Sequence, residues 1–218
     1  MPLVEGNFTG DARVPMGSTY SFSHNQNTGT DRCLVVIIAA PAVSITSVNY
    51  GGQALTNVRQ TLLNNYSTYW SVWRLNNPPT GINSIQVNLS TASWNPTSVV
   101  CYSFTGSAGV GLNSLTQPAV SNPTATINIS NNSMIIGANV GGNSTSAYIA
   151  IPQGTNRPID WTHGINNYTW GGISPSLSAG NTTIQGGSTA TSVILGVEVK
   201  EAAAPVGNNT SGWWMILN

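Results

Sequence analysis

Short strand-like segments recur along the whole of this chain. Apolar or alternating runs return at intervals of roughly 8 to 15 residues, separated by clusters of Gly, Pro and Asn, a spacing typical of β-sandwiches and barrels. No long stretch shows the roughly 3.6-residue apolar repeat of an amphipathic helix. The sequence therefore predicts an all-β protein, with strand segments at 18–24, 32–40, 45–50, 54–58, 66–75, 85–89, 97–104, 124–129, 134–140, 147–151 and 192–200.

Two of these segments are apolar on both faces. Residues 32–40 (RCLVVIIAA) form a continuous apolar run, and in residues 66–75 (YSTYWSVWRL) aromatic or aliphatic side chains occupy both parities. Such strands need cover on each side of the sheet, so we expect both to be central. Residues 85–89 instead alternate Ile, Val and Leu with Gln and Asn, which predicts a half-buried strand.

The domain prediction follows from this pattern. We expect a single domain, a jelly-roll-type antiparallel β-sandwich over residues 18–201, preceded by an N-terminal arm (1–17) and followed by a linker with an apolar C-terminal anchor (202–218). Residues 107–122 are rich in Gly, Ser and Asn and are expected to form a loop, and 152–190 look less regular. The sequence shows no evident internal repeat.

Charge is scarce in this chain. Only 6% of its residues are charged and the formal net charge is +0, whereas soluble domains usually carry about 25% charged residues. The solvent face must therefore consist of Asn, Ser, Thr, Gly and Gln, and a surface near neutrality favours association. Six Lys and Arg residues are too few and too scattered to neutralise a phosphate backbone, so we expect no nucleic-acid partner.

Membrane and export signals are also lacking in the sequence. No run approaches the ~20 apolar residues of a membrane helix, so no membrane partner is expected. Residues 1–23 have neither the basic start nor the apolar stretch of a signal peptide. The chain is expected to be made and used without export, or to be a processed form, and the retained Met1 favours the first.

Residues that could carry chemistry are few. Cys33 and Cys101 each lie in an apolar run and are expected to be small buried side chains, although a disulfide between them stays open. A hydrolase triad would need a nucleophile, a His and an orienting carboxylate. Asp160 and His163 are close in sequence, but residues three apart on a strand point to opposite faces, so we expect a surface His rather than a cooperating pair. Glu198, in the last strand, is either buried or at an edge. We expect no catalytic residue, no metal site and no cofactor.

Three aromatic residues suggest a different kind of site. Trp161, Tyr168 and Trp170 lie among Gly and Asn in the less regular region. They could form a flat platform that stacks on sugar rings, with Asn side chains bonding the hydroxyls, so a host glycan is a candidate ligand. The alternative is that they cover one end of the sandwich core or an interface.

The end of the chain is strongly apolar. After a linker rich in Ala, Gly and Asn comes a partner-binding candidate, Trp213, Trp214, Met215, Ile216 and Leu217. Two Trp side chains alone offer about 300–500 Å² of surface to bury. We expect this segment to pack against another chain, and the alternative is that it folds back as a last strand.

Several motifs together resemble a known β-sandwich module, jelly-roll or lectin-like in shape, of bacteriophage structural proteins and bacterial surface proteins. The resemblance covers roughly residues 18–201 and depends on the motifs at 31–36 (DRCLVV), 48–56 (VNYGGQALT), 73–81 (WRLNNPPTG), 103–106 (SFTG) and 193–200. It implies a phage structural protein on the virion exterior, assembled in the host cytoplasm.

Within that class, a capsid decoration or cement protein is favoured. It would bind the major capsid protein or another virion protein and form homo-oligomers, with trimers favoured. The alternative is a tail-associated receptor-binding or carbohydrate-binding module. A third, from another class, is a secreted carbohydrate-binding module or hydrolase domain.

Overall fold

The protein folds entirely into β-strands over the part of the chain that the computed structural model describes. Described are residues 1–13, 15, 17–63, 67–95, 97–115, 121–142, 148–151, 153–158, 167–187 and 192–203. They contain no helix, which confirms the all-β prediction. The strands are β1 (Val4–Arg13), β2 (Gly17–Gln26), β3 (Cys33–Pro41), β4 (Ile45–Tyr50), β5 (Gln53–Ala54), β6 (Thr56–Leu63), β7 (Thr68–Asn76), β8 (Gly81–Ser93), β9 (Thr97–Thr105), β10 (Ser107–Leu115), β11 (Thr124–Ile129), β12 (Met134–Gly142), β13 (Tyr148–Ala150), β14 (Thr155–Pro158), β15 (Asn167–Ile173), β16 (Gly180–Gly187) and β17 (Ser192–Glu201).

These strands form four antiparallel sheets that lie on one another as layers. In stacking order they are sheet 1 (β2-β8-β4-β5), sheet 2 (β1-β9-β3-β7-β6), sheet 3 (β10-β17-β12-β15-β14) and sheet 4 (β11-β16-β13). One apolar core separates sheets 1 and 2, a second separates sheets 2 and 3, and a third separates sheets 3 and 4. The central strands of sheets 2 and 3 are therefore covered on both faces, whereas sheets 1 and 4 each present an outer face to solvent.

Strand β3 shows how the sequence produces this stack. Leu34 and Val36 point into the core shared with sheet 1, whereas Val35 and Ile37 point into the core shared with sheet 3. Each fully buried aliphatic side chain contributes about 1.5–3 kcal/mol relative to an exposed one. The prediction that this strand is central is confirmed, since β9 and β7 flank it in the sheet.

The aromatic strand β7 behaves in the same way. Trp70 and Val72 are buried toward sheet 3, while Trp73 is buried toward sheet 1 with Tyr69 and Leu75 packed beside it. This strand lies between β3 and β6, so it is also central. The side chains at odd and at even positions of this strand therefore pack into two different apolar cores.

The two halves of the chain have the same topology. In the larger sheet of each half the first strand pairs with the last, the last with the third, and the third with β7 or β15. That strand pairs in turn with the strand before it, β6 or β14, which forms the other edge of the sheet. The counterparts are β1/β10, β2/β11, β3/β12, β4/β13, β6/β14, β7/β15, β8/β16 and β9/β17, and among the described strands β5 has none. The antiparallel β-sandwich expectation is confirmed, and the described strands form a structural repeat of two sandwiches packed face to face, although the sequence shows no evident repeat.

The residue pairs between neighbouring strands also correspond in the two halves. Val35 pairs with Arg74 in the first half, and Ile136 pairs with Ile173 in the second. One constant sequence spacing separates the identical pairs Thr56/Thr155, Asn57/Asn156, Tyr69/Tyr168, Gly81/Gly180, Ile85/Ile184 and Gln86/Gln185. The registers are not the same throughout, because β6 has a bulge between Asn57 and Arg59 that the described pairing of β14 lacks. The identities are few and dispersed, so the repeat is hidden in the sequence.

A β-bulge is also repeated. Strand β1 has one between Glu5 and Phe8, and β10 has one between Val110 and Asn113, each opposite the last strand of its half. A glycine lies inside each bulge, at Gly6 and Gly111, where a Cβ atom would collide with a neighbouring side chain. The packing of the bulge thus requires a residue without a side chain in both halves.

Polar contacts join the two halves at the rim of the central core. Nη1 of Arg59 donates to Oδ1 of Asn113 at 2.8 Å, and the hydroxyl of Tyr102 donates to the carbonyl of Gly172 at 3.4 Å. The amide of Ala202 donates to the carbonyl of Gly106 at 2.8 Å. The halves are therefore fastened as one continuous stack.

Three segments differ from the sequence-based expectation. Residues 1–17, expected to be an arm, include β1, which pairs with β9 along its length. Residues 107–122, expected to be a loop, include β10, and the less regular region 152–190 includes β14, β15 and β16. These segments are rich in Gly, Ser and Asn, so their sequences do not have the apolar pattern of strands. They form strands because they pair with apolar strands in the same sheet.

Candidate functional site

Three of the motifs that carried the resemblance, at 31–36, 48–56 and 73–81, meet at one end of the first sandwich. The hydroxyl of Tyr50 donates to the carbonyl of Gly81 at 2.8 Å, and Nε of Arg32 donates to the carbonyl of Pro78 at 3.0 Å. Gly51 packs against Pro79, whose Cγ would lie 2.8 Å from an added Cβ. These residues lock the β4–β5 turn onto the β7–β8 turn, so their pattern has a structural role.

Next to this corner, the outer face of sheet 1 is made of hydroxyl and amide side chains. Ser21 of β2 pairs with Gln86 of β8, and Gln86 pairs in turn with Asn49 of β4, so the three side chains form one row across the sheet. In the adjacent row Oγ1 of Thr19 donates to Asn88, whose Nδ2 donates to Oγ of Ser47 at 2.7 Å. This face therefore presents hydrogen-bond donors and acceptors without charge.

The row of Ser21, Gln86 and Asn49 ends in a shallow depression with a volume of about 400 Å³. The residues that line it are uncharged, namely Ser21, Asn49, Gly51, Gly52, Ser84 and Gln86. Gly51 and Gly52 have φ of 54° and 81°, a left-handed turn that favours glycine, and the amide of Gly51 donates to the carbonyl of Ser84 at 3.1 Å. The turn forms a fixed wall because the corner supports it from behind.

Sheet 4 presents the corresponding face of the second sandwich. Thr124, Gln185 and Ala150 form the row equivalent to Ser21, Gln86 and Asn49. The hydroxyls of Thr126 and Thr183 bond each other at 3.0 Å. The outer surfaces at both ends of the stack are thus uncharged, but the amide at Asn49 has an alanine as its counterpart.

Ionisable groups inside the stack have structural surroundings. His24 is 1% exposed, and its Nδ1 lies 2.9 Å from Oγ1 of Thr9. Burial lowers the pKa of His24 from 6.5 to about 4, so the ring is neutral at physiological pH. Glu198 is fully buried, and its Oε1 accepts from the amide of Ser130 at 2.6 Å and from the hydroxyl of Ser133 at 2.9 Å.

Both cysteines are free and buried. Cys33 points toward sheet 3 and Cys101 toward sheet 1, so sheet 2 separates the two thiols and no disulfide joins them. Burial raises the pKa of Cys33 to about 12 and raises that of Cys101 well above its usual range. The expectation of small buried side chains is confirmed.

The candidate residues named from sequence are only partly within the described chain. Tyr168 and Trp170 lie on strand β15, opposite Gly141 and Asn139 of β12, rather than in a loop. Trp161 lies outside the described residues, as do Asp160 and His163. The C-terminal candidates Trp213, Trp214, Met215, Ile216 and Leu217 also lie outside them. The platform and the anchor therefore stay predictions.

One exposed aromatic residue was missed by the sequence analysis. Trp94, between β8 and β9, is 68% exposed, whereas Trp70 and Trp73 are buried. Ile82, at the start of β8, is 76% exposed. Single exposed apolar residues are ordinary on protein surfaces. Ile82 and Trp94 lie at opposite ends of strand β8.

Among the described residues, no group of three or more His, Cys, Asp and Glu side chains could hold a metal ion. Within the same residues, no helix is long and apolar enough to cross a membrane.

No protein-family model matches the chain, and no curated protein matches it in sequence.

Proposed function

We propose that this chain is a structural protein on the exterior of a bacteriophage particle, most consistent with a capsid decoration or cement protein. The observation that carries the proposal is the surface that the fold builds. Four layers bury nearly every apolar strand residue, and the two outer faces consist of uncharged hydroxyl and amide groups. Neighbouring copies on a particle can approach such faces without charge repulsion.

The strand path supports a jelly-roll description of each sandwich. In both halves most consecutive strands change sheet, the exceptions being the neighbours β4–β5, β6–β7 and β14–β15, and the first strand lies beside the last. The resemblance of the motifs at 31–36, 48–56 and 73–81 to phage structural modules points to the same class, and these motifs form the corner beside the depression.

Attachment is assigned to the C-terminal segment. We take Trp213, Trp214, Met215, Ile216 and Leu217 as the anchor that binds the major capsid protein or another virion protein. A linker rich in small and polar residues precedes them, so the anchor can reach a neighbour. The exterior location and a homo-oligomer, with a trimer favoured, belong to the same proposal.

The alternative function is a tail-associated receptor-binding or carbohydrate-binding module. The uncharged depression of sheet 1 favours it, because its hydroxyl and amide groups suit a neutral ligand. Under this alternative, Trp161, Tyr168 and Trp170 form a second, aromatic contact.

Particle binding tests the proposal directly. Particles of a phage whose genome encodes the chain are stripped of exterior proteins and mixed with the purified chain, and bound copies are counted by cosedimentation and cryo-electron microscopy. We expect saturation at symmetry-related capsid positions and a particle that resists heating better. Binding confined to the tail would favour the alternative, and no binding to any part of the particle would refute both.

A truncated chain without residues 213–218 tests the anchor. We expect it to keep the melting temperature of the full chain and to lose particle binding. Unchanged binding would exclude this segment as the anchor, and loss of folding would show that it belongs to the sandwich.

A further inference from the structure

We infer that the depression on sheet 1 is a binding site for a neutral saccharide. It is lined by Ser21, Asn49, Gly51, Gly52, Ser84 and Gln86. This inference rests on the alternative function, a carbohydrate-binding module, and its failure can be told apart from failure of the particle proposal because sugar binding and attachment through the C-terminal segment are measured separately.

The floor of the depression sets out hydrogen-bonding groups at fixed intervals. Neighbouring strands lie about 5 Å apart, so Ser21, Gln86 and Asn49 follow one another across three strands at that spacing. Hydroxyl groups and amides both donate and accept, as sugar hydroxyls do. Gln86 is exposed and Asn49 is half-buried, so a ligand in the depression can reach both side-chain amides.

The wall of the depression is rigid and leaves room for a ring. Gly52 is exposed, and no atom lies within 4 Å of the position of an added Cβ. Behind the turn, Gly51 packs on Pro79 and the hydroxyl of Tyr50 donates to Gly81. A wall that is fixed before binding reduces the entropy lost when the ligand binds.

Charge identifies the class of ligand. No lining residue is charged, so an anion or a cation would lose hydration without gaining a counter-charge. When a neutral polyhydroxyl compound binds, its hydrogen bonds to water are replaced by hydrogen bonds to the row of Ser21, Gln86 and Asn49. The volume of about 400 Å³ falls in the lower part of the usual range of roughly 300–1,000 Å³ for ligand sites, which suits one or two sugar rings.

The internal repeat provides a matched control within the same molecule. Gln185 is the counterpart of Gln86 and Thr183 that of Ser84, yet Asn49 has Ala150 as its counterpart. Asn49→Ala therefore gives the first row the side chain that the second row already has. The site should lie on sheet 1 and be lacking on the described face of sheet 4.

The experiment titrates the full chain with maltose, lactose and N-acetylglucosamine and records ¹H–¹⁵N correlation spectra. We expect at least one sugar to shift the backbone amides of Gly51 and Gly52 and the side-chain amides of Asn49 and Gln86, with saturation. Asn49→Ala and Gln86→Ala should each weaken binding about tenfold, the usual effect of losing one hydrogen bond. Gln185→Ala should leave the affinity unchanged.

Three results would overturn the inference. The first is no saturable shift with any of the sugars at their solubility limit. The second is a saturable shift that Asn49→Ala and Gln86→Ala leave unchanged while all variants keep the melting temperature of the parent. The third is a dimer in sedimentation that Asn49→Arg dissociates, because a second copy would then be the occupant of this face.

Discussion

Glu198 occupies in the second sandwich the position that Ser103 occupies in the first. Ser103 pairs with Leu34 and Glu198 pairs with Ile135, at equivalent places on β3 and β12. Both side chains are fully buried beside the bulge glycine of their half. Both halves therefore have a buried polar side chain at this position. In the first half it bonds to the backbone of the bulge, and in the second half it bonds to the loop that precedes β12.

The first prediction concerns the buried carboxylate. Glu198→Ala leaves the amide of Ser130 and the hydroxyl of Ser133 without their acceptor, which should lower the free energy of unfolding by about 2–4 kcal/mol. Glu198→Gln keeps one acceptor oxygen and should recover a substantial part of that loss. Urea unfolding monitored by tryptophan fluorescence measures both, and equal losses for the two variants would contradict this role.

Ser103→Ala is the matched variant in the first half. Oγ of Ser103 accepts from the amide of Asn7 at 2.7 Å and donates to the carbonyl of Asn7 at 3.1 Å. We expect a loss of about 1–2 kcal/mol, smaller than for Glu198→Ala, because the bulge of an edge strand can admit water. The same unfolding measurement compares the two positions.

The second prediction concerns the bulge glycines. A Cβ at Gly111 would collide with Oε2 of Glu198, and a Cβ at Gly6 would lie 2.8 Å from Oγ of Ser103. Gly111→Ala should therefore destabilise the fold more than Gly6→Ala, since the buried carboxylate has hydrogen bonds to lose when it moves. Melting temperatures by calorimetry test the ranking, and a double variant Gly111→Ala with Glu198→Ala should be less than additive.

The third prediction concerns the thiols. Cys33 and Cys101 are both fully buried and have raised pKa values, so little thiolate forms near neutral pH. We expect neither to react with a thiol reagent in the native protein, and both to react once the chain is unfolded in guanidinium. Thiol titration under the two conditions measures this, and rapid reaction of the native protein would show that sheet 2 opens.

Strand identity and burial were predictable because they depend on local side-chain order. The two-faced apolar runs at β3 and β7 required central strands, and the alternation at β8 required one polar face. The internal repeat was not predictable in this way. Its halves share which side of a strand is apolar rather than the residue itself. The segment from the start of β8 to the start of β9 is also longer than that from the start of β16 to the start of β17, which shifts the alignment of the last strands.

The depression could not be predicted from the sequence for a similar reason. Ser21, Asn49 and Gln86 are distant in sequence, and each is an ordinary polar residue on its own strand. Only the register of β2, β8 and β4 places them in one row. The Gly51–Gly52 turn and the prolines at 78 and 79 were visible in sequence, but their packing against each other depends on the tertiary fold.

The last prediction concerns His24, whose counterpart in the second sandwich is Ile127. Burial holds the pKa of His24 at about 4 in the folded protein, against 6.5 for an ordinary histidine. Below pH 6.5 the unfolded chain binds a proton at this ring while the folded chain does not, so stability is full above 6.5 and falls as the pH drops toward about 4. The loss should reach at most about 3 kcal/mol and then level off.

His24→Ile gives this position the residue of the other sandwich and removes the titrating ring. The variant also loses the contact with Thr9, but that loss does not depend on pH. We therefore expect the difference in unfolding free energy between parent and variant to change in favour of the variant as the pH falls from about 7 to about 4. Urea unfolding across this range measures it, and a difference that stays constant with pH would mean that the buried ring is not the source of acid sensitivity.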